Sequence, residues 1–241
     1  MQVSVEARAT EEVRADLLAL SLPRLDPEGR RLPTRYAGLD QTLGGRIRSA
    51  LATGDFKGAA GDTLLIYADE DSPARRVLLV GLGPEREVDA EGLRAAAGRA
   101  VSLGRRQKAR RVVLAQPPVR RLRGGAAGQA LAEGALLGAY RFDRYRSSDE
   151  EASEAPDVVV LVEPGGDVRG ARAGVRTGTI LAESQNLARD LSNEPPNVLP
   201  PAELARAAQR VARETGLGCQ VFDVPRLEKL GAGGILAVGG G

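Results

Sequence analysis

Two acidic triplets, Asp69-Glu70-Asp71 and Asp149-Glu150-Glu151, are the side chains of this sequence best suited to hold a hard cation, which takes oxygen ligands. Each triplet lies in a loop with no second carboxylate cluster at a defined spacing, so solvation of the surface is the simpler reading. The sequence contains no histidine and one cysteine, Cys219. That excludes Ser-His-Asp and Cys-His nucleophilic machinery, imidazole-bearing zinc sites and a disulfide framework. Cys219 opens an apolar run and reads as a small core residue.

Three glycine-rich stretches could cradle phosphate. GLGPER (81–86) follows an apolar run but has Arg86 where a dinucleotide fingerprint needs its third glycine, and Pro84 intervenes. TGDFKGAAGDT (53–63) lacks the Gly-Lys-Ser/Thr ending of a phosphate loop, and GAGGILAVGGG (231–241) has no helix after it. A basic field is also present. Between Gly92 and Ala132 stand Arg94, Arg99, Arg105, Arg106, Lys108, Arg110, Arg111, Arg120, Arg121 and Arg123, with no acidic residue before Ala132. Such a field could neutralise nucleic-acid phosphates, but no aromatic is interleaved for base stacking. Arginine is abundant everywhere here: Lys57, Lys108 and Lys229 are the only lysines among 34 basic residues. The field therefore reads first as a solvated helix face. No catalytic, metal-ligating or substrate-binding residue emerges from these candidates.

The elements that would position any site are clearer. The chain has 241 residues, 42% of them hydrophobic, but only four tyrosines, three phenylalanines and no tryptophan. Its core must be built from aliphatic side chains. Residues 2–7, 15–22, 63–68, 76–83, 111–117 and 157–164 are short apolar runs that read as strands. Between them, 39–54, 89–107 and 125–140 read as helices, the first with Leu39, Leu43, Ile47 and Leu51 on one stripe. Strands apolar on both sides, alternating with helices, predict an α/β fold: a mixed, mainly parallel sheet with helices on both faces. SSDEEASEAP (147–156) is expected to be a solvated loop. No apolar run approaches the roughly 18 residues of a membrane span, and no secretory signal opens the chain, so the expected location is cytoplasmic.

From about Val168 a long helical pattern runs with Ile180, Ser184, Leu187 and Leu191 on one stripe, expected to lie against protein. NLARDLSNEPPNVLPPAELARAA (186–208) then places two proline pairs between two helices. Pro195 should stop the first helix near Asn193, and Pro201 suits the first turn of the next. That second helix is expected to bury Leu204, Ala207, Ala208 and Val211 and to stop at Gly216. CQVFDV (219–224) and ILAV (235–238) read as strands. The division expected is an N-terminal α/β domain over 1–164, a linking helix over 165–194 and an incomplete second α/β domain over 195–241.

Taken in order, GDFKGAAGDTLLIY (54–67), RRVLLVGLG (75–83), EGALLGAYRFDRYRS (133–147), NLARDLSNEPPNVLPPAELA (186–205) and VFDVPRLEKLGAGGILAVGGG (221–241) resemble the leucyl (cytosol) aminopeptidase family. The resemblance implies a macro-domain-like N-terminal domain and the opening of a catalytic domain. It further implies a hydrolase that releases N-terminal amino acids from peptides, two divalent metal ions (manganese or zinc) held by carboxylates and a lysine, and a hexamer. The family's ligand motifs match no position of this chain, so catalytic, metal and substrate residues are all expected to be none, and no metal is expected on the chain by itself. The rival expectation is a binding module without catalysis, taking a nucleotide or ADP-ribose ligand at Gly81–Gly83 or nucleic acid along 92–132.

Overall fold

The structure, a computed structural model, describes residues 1–24, 26, 30–119, 121–146 and 154–240. The chain forms two compact units, Met1–Leu187 and Ala188–Gly241.

Among the described residues the first unit contains six strands: β1 (Val3–Ala7), β2 (Leu17–Arg24), β3 (Thr63–Tyr67), β4 (Arg76–Pro84), β5 (Arg111–Ala115) and β6 (Asp157–Val162). They form one sheet in the order β1-β6-β5-β2-β4-β3. Every pairing is parallel except β3 with β4. Side chains of the inner strands alternate between two cores, as the two-residue period requires. Leu17, Ala19, Leu78, Val80, Val112, Leu114, Val158 and Val160 feed one face. Leu18, Leu20, Val77, Leu79, Val113 and Val159 feed the other. All six expected strands form, and the mainly parallel α/β architecture with it.

The helices are α1 (Ala37–Thr42), α2 (Arg46–Thr53), α3 (Ala90–Arg106), α4 (Gly124–Ala139) and α5 (Val168–Asn193). Residues of α3 and α4, with Val175 of α5, cover the first face, and α1 and α2 the second. The helix expected over 39–54 is split. Gly44 and Gly45 take left-handed backbone at φ 61° and 80° and turn the chain between α1 and α2. Its apolar stripe survives the break, since Leu39, Leu43, Ile47 and Leu51 are all buried.

Helix α5 ends at Asn193, where the Pro195 pair stops it. Its buried face is not the expected one. Ala171, Gly174, Val175, Gly178 and Ala182 are buried, while Ile180 is 58% and Leu187 40% exposed and Leu191 is half-buried. The reason is distance. A Cβ on Gly174 would lie 2.0 Å from the Gly125 carbonyl oxygen, and one on Gly178 would lie 2.6 Å from that of Gln129. Backbones this close admit only the smallest side chains, so the bulky stripe faces outward.

The second unit holds the end of α5, then α6 (Pro201–Thr215), α7 (Val224–Lys229) and α8 (Gly233–Gly239). Gly216 ends α6 in the left-handed conformation at φ 74°, as expected. Ala207 is buried on α6, but Leu204 and Ala208 are exposed and Val211 is half-buried. Neither expected strand is present. Residues 217–223 form no helix or strand, and Ile235–Val238 lie within α8. A strand needs a neighbour to receive its backbone hydrogen bonds, whereas a short helix satisfies them within itself. Asp223 caps α7 by accepting from the Arg226 amide at 3.1 Å. Among the described residues no helix is long and apolar enough to cross a membrane.

Candidate functional site

The glycine stretches that could have held phosphate are occupied by the chain itself. Beyond the end of α2, residues 58–62 lie along the end of β4. The Gly81 amide donates to the Asp62 carbonyl (2.8 Å), Gly61 to that of Gly81 (3.0 Å) and Gly83 to that of Gly58 (3.0 Å). Asp62 holds this loop in shape, its carboxylate accepting from the amides of Lys57 at 3.2 Å and Ala59 at 3.1 Å. A Cβ on Gly81 would stand 2.1 Å from the Ala59 carbonyl oxygen. Both motifs are thus explained by one backbone-on-backbone contact, and the amides that would cradle a diphosphate already have partners. In the third stretch, Gly231 turns the chain between α7 and α8 at φ 66°; Gly241 lies outside the described residues.

The basic field does not act as a unit. Arg94 pairs with Glu91 and Glu133. Arg106 donates to the Ser102 hydroxyl at 3.1 Å, and Arg111 to Glu6 at 2.6 Å. Arg121 donates to the Arg86 carbonyl. Arg120 lies outside the described residues. Of the acidic triplets, Asp69 pairs with Arg46 at 2.7 Å, and Asp149, Glu150 and Glu151 lie outside the described residues, as does most of the 147–156 loop. Cys219 is exposed and stands in no strand, so it is not a core residue.

One polar cluster escaped the sequence reading. The chain leaves β2 toward α1 and α2 but leaves β4 and β5 toward α3 and α4 on the opposite face. Open α/β sheets bind ligands at the carboxyl ends of strands flanking such a reversal. Beside that reversal, Tyr36 before α1 and Glu163 after β6, the neighbour of β5, each bury an oxygen, the phenol hydroxyl and Oε1, with no hydrogen-bond partner among the described residues. Arg35 anchors this turn by donating to the Gln116 carbonyl at 3.3 Å, and its guanidinium lies 5.9 Å from the Tyr36 ring centroid. Burial pushes the Tyr36 phenol up to about 12, opposed by Arg35 and reinforced by Glu163. Burial also raises the Glu163 carboxyl, with Arg35 and Thr10 opposing. The cluster offers a donor, an acceptor and a reluctant carboxylate. Its only trace in the sequence is an acid directly after an apolar strand.

A raised carboxyl pKa means that the folded chain holds its proton to higher pH than the unfolded chain does. The resulting stability is complete below the ordinary carboxylate range and is lost as pH rises through the folded value. Glu163→Gln should therefore raise the melting temperature at about pH 8 by a few degrees and leave it unchanged near about pH 4. Thermal melts across that range check this; an equal shift at both ends would show that the effect is not proton-linked.

The fold defines a class: a three-layer α/β domain whose last helix runs on to a proline elbow within a second, helical unit. The sequence profile of the cytosol aminopeptidase family, N-terminal domain, matches residues 24–149, and that of the same family's catalytic domain matches 186–241. The chain belongs to the cytosol aminopeptidase family. It is 40% identical over 208 residues to a probable cytosol aminopeptidase of Acidobacterium capsulatum, covering 86% of this chain and 40% of that protein. It is 35% identical over 238 residues to one of Solibacter usitatus, covering 99% of this chain and 45% of that protein. The chain thus spans less than half the length of these curated relatives. Among solved structures, a tomato leucine aminopeptidase mutant superposes with a TM-score of 0.78 at 22% identity, over 95% of this chain and 46% of that one. The bottromycin maturation enzyme BotP in complex with Mn superposes at 0.63 and 28% identity, over 90% of this chain and 40% of that one.

Proposed function

We propose that this polypeptide supplies the N-terminal domain, linking helix and opening catalytic-domain elements of a cytoplasmic, metal-dependent aminopeptidase. The whole enzyme releases N-terminal amino acids, leucine among them, from peptides, and assembles as a hexamer. The observation that carries this reading is the order of the two family matches, an N-terminal domain over 24–149 followed by a catalytic domain over 186–241. The enzyme uses two divalent ions, manganese or zinc; of this, metal dependence is supported by the structural neighbour BotP, solved in complex with Mn.

The residues present do not themselves fit such a centre. Among the described residues, no three Asp, Glu, Cys or His side chains come together as a metal-ligand group. No step of peptide hydrolysis is therefore assigned to a side chain of this chain.

The test is hydrolysis of a leucine chromogenic amide with added manganese or zinc. The purified 241-residue chain should show no turnover above the metal blank, while the longer Acidobacterium capsulatum relative, assayed in parallel, should be active. Metal-dependent turnover by the 241-residue chain would overturn the assignment of the metal ligands elsewhere.

A further inference from the structure

Helices α3, α4 and α5 enclose a groove of ≈ 680 Å³ within the first unit. That volume is within the range of small-molecule pockets. Its lining combines the charged side chains of Glu91, Arg94 and Glu133 with Gly98, Gly134 and Gly138 and the apolar Leu137 and Leu181. Arg94 Nε bonds Glu133 and Arg94 Nη1 lies 3.2 Å from Glu91 Oε2. Among the described residues Arg94 Nη2 has no hydrogen-bond partner, and the side chain is 31% exposed. Glu133 is nearly buried, and its other oxygen accepts from Gln129 at 2.7 Å. Glu91 uses one oxygen on Arg94 and projects into solvent, leaving the other open. Leu137 and Leu181 also line the groove, the latter half-exposed. Gln185, one turn beyond Leu181 on α5, also lines the groove.

These groups form a complementary set. A free guanidinium nitrogen receives a carboxylate, a carboxylate beside it receives an ammonium, and an aliphatic wall lies next to both. The two carboxylates outnumber the one cation, so a ligand carrying a carboxylate alone is disfavoured and one with an ammonium is favoured. We propose that this groove binds a free α-amino acid with an apolar side chain. The carboxylate lies on Arg94 Nη2, the ammonium faces Glu91, and the side chain packs on Leu137 and Leu181. The aminopeptidase reading enters only as a source of ligand, since an N-terminal residue released from a peptide is such an amino acid. Binding to this chain needs neither metal nor turnover, so the two readings stand or fall by separate measurements.

The experiment is an amide NMR titration of the 241-residue chain with L-leucine, with no metal added. The expected result is saturable shifts of groove amides, those of Gly98, Ala182 and Gln185 among them, with a dissociation constant in the millimolar range. N-acetyl-L-leucine, which lacks the ammonium, L-leucine amide, which lacks the carboxylate, and glycine, which lacks the side chain, should each bind about tenfold more weakly or worse. Leu181→Asp sets a charge against the ligand's apolar side chain and should abolish the shifts without lowering the melting temperature. Glu91→Gln, at a more exposed position, should weaken leucine about tenfold and leave N-acetyl-L-leucine unchanged. Absent shifts, shifts confined to other surfaces, or undiminished binding by Leu181→Asp would each overturn the proposal. N-acetyl-L-leucine binding as well as leucine would overturn it in favour of a peptide C-terminus as the ligand.

Discussion

Replacing Gly134 with alanine should lower the stability of the chain by about 1–2 kcal/mol, although alanine is the better helix former. Helices α3 and α4 cross where Gly98 meets Gly138 and where Gly134 lies under the Arg94 backbone. A Cβ on Gly134 would stand 2.1 Å from the Arg94 carbonyl oxygen and 2.7 Å from its Cα. Neither atom belongs to a side chain that could rotate away, so the helices themselves must move apart. Forcing a methyl into a packed interface typically costs about 1–3 kcal/mol, and the lost flexibility of glycine returns under about 1 kcal/mol of that. The same change at Gly92 on α3 should act with the opposite sign. There the new Cβ meets only an Asp89 carboxylate oxygen at 3.5 Å, an ordinary contact. Gly92→Ala should therefore be neutral or stabilise by up to about 1 kcal/mol. Urea unfolding of both variants checks the pair, and a Gly134→Ala midpoint at or above that of Gly92→Ala would show that the crossing is not tight.

Removing the Arg94 charge should have the larger effect. Glu133 is 6% exposed and sits in the middle of α4 with Arg94 and Gln129 as its partners. In Arg94→Met the aliphatic stem remains, but Glu133 keeps only the neutral Gln129 amide. Breaking a buried pair from one side costs about 3–5 kcal/mol; because Arg94 is about a third exposed, the expected loss here is about 2–3 kcal/mol. The double variant Arg94→Met, Glu133→Met removes both charges together. It should recover to within about 1 kcal/mol of the original chain, because two apolar side chains of similar volume leave no charge unpaired. Equilibrium unfolding of the two single variants and the double variant gives the coupling directly. Strictly additive losses would mean that Arg94 and Glu133 are stabilised independently, despite their bond.

Much of the sheet is legible without coordinates, because a strand covered on both faces must be apolar at nearly every position. LLALSLPR, RVLLVGLGP and DVVVLV could hardly be anything else between helical stretches. The proline elbow is equally plain, since Pro195 acts on the residue before it and Pro201 on the turn that it opens, whatever surrounds them. The family could also be read from ordered segments, above all residues 186–205. Tertiary structure decided what depends on a neighbour. The 39–54 stripe was right in every side chain yet wrong as one helix, because Gly44 and Gly45 turn the chain without moving the stripe off the core. On α5 the periodicity of Ile180, Leu187 and Leu191 pointed to one face, but Gly125 and Gln129 approach so closely that only glycine fits at 174 and 178 of the buried one. Residues 219–224 and 235–238 carry strand-like composition, but composition supplies no partner edge for the backbone to bond. The Tyr36–Glu163 cluster and the α3–α4–α5 groove were likewise invisible, because their members are joined only by the return of the chain across the sheet. Local rules act through adjacent residues and are written in order along the chain; packing and burial join residues far apart in it, and exist only once the chain has folded.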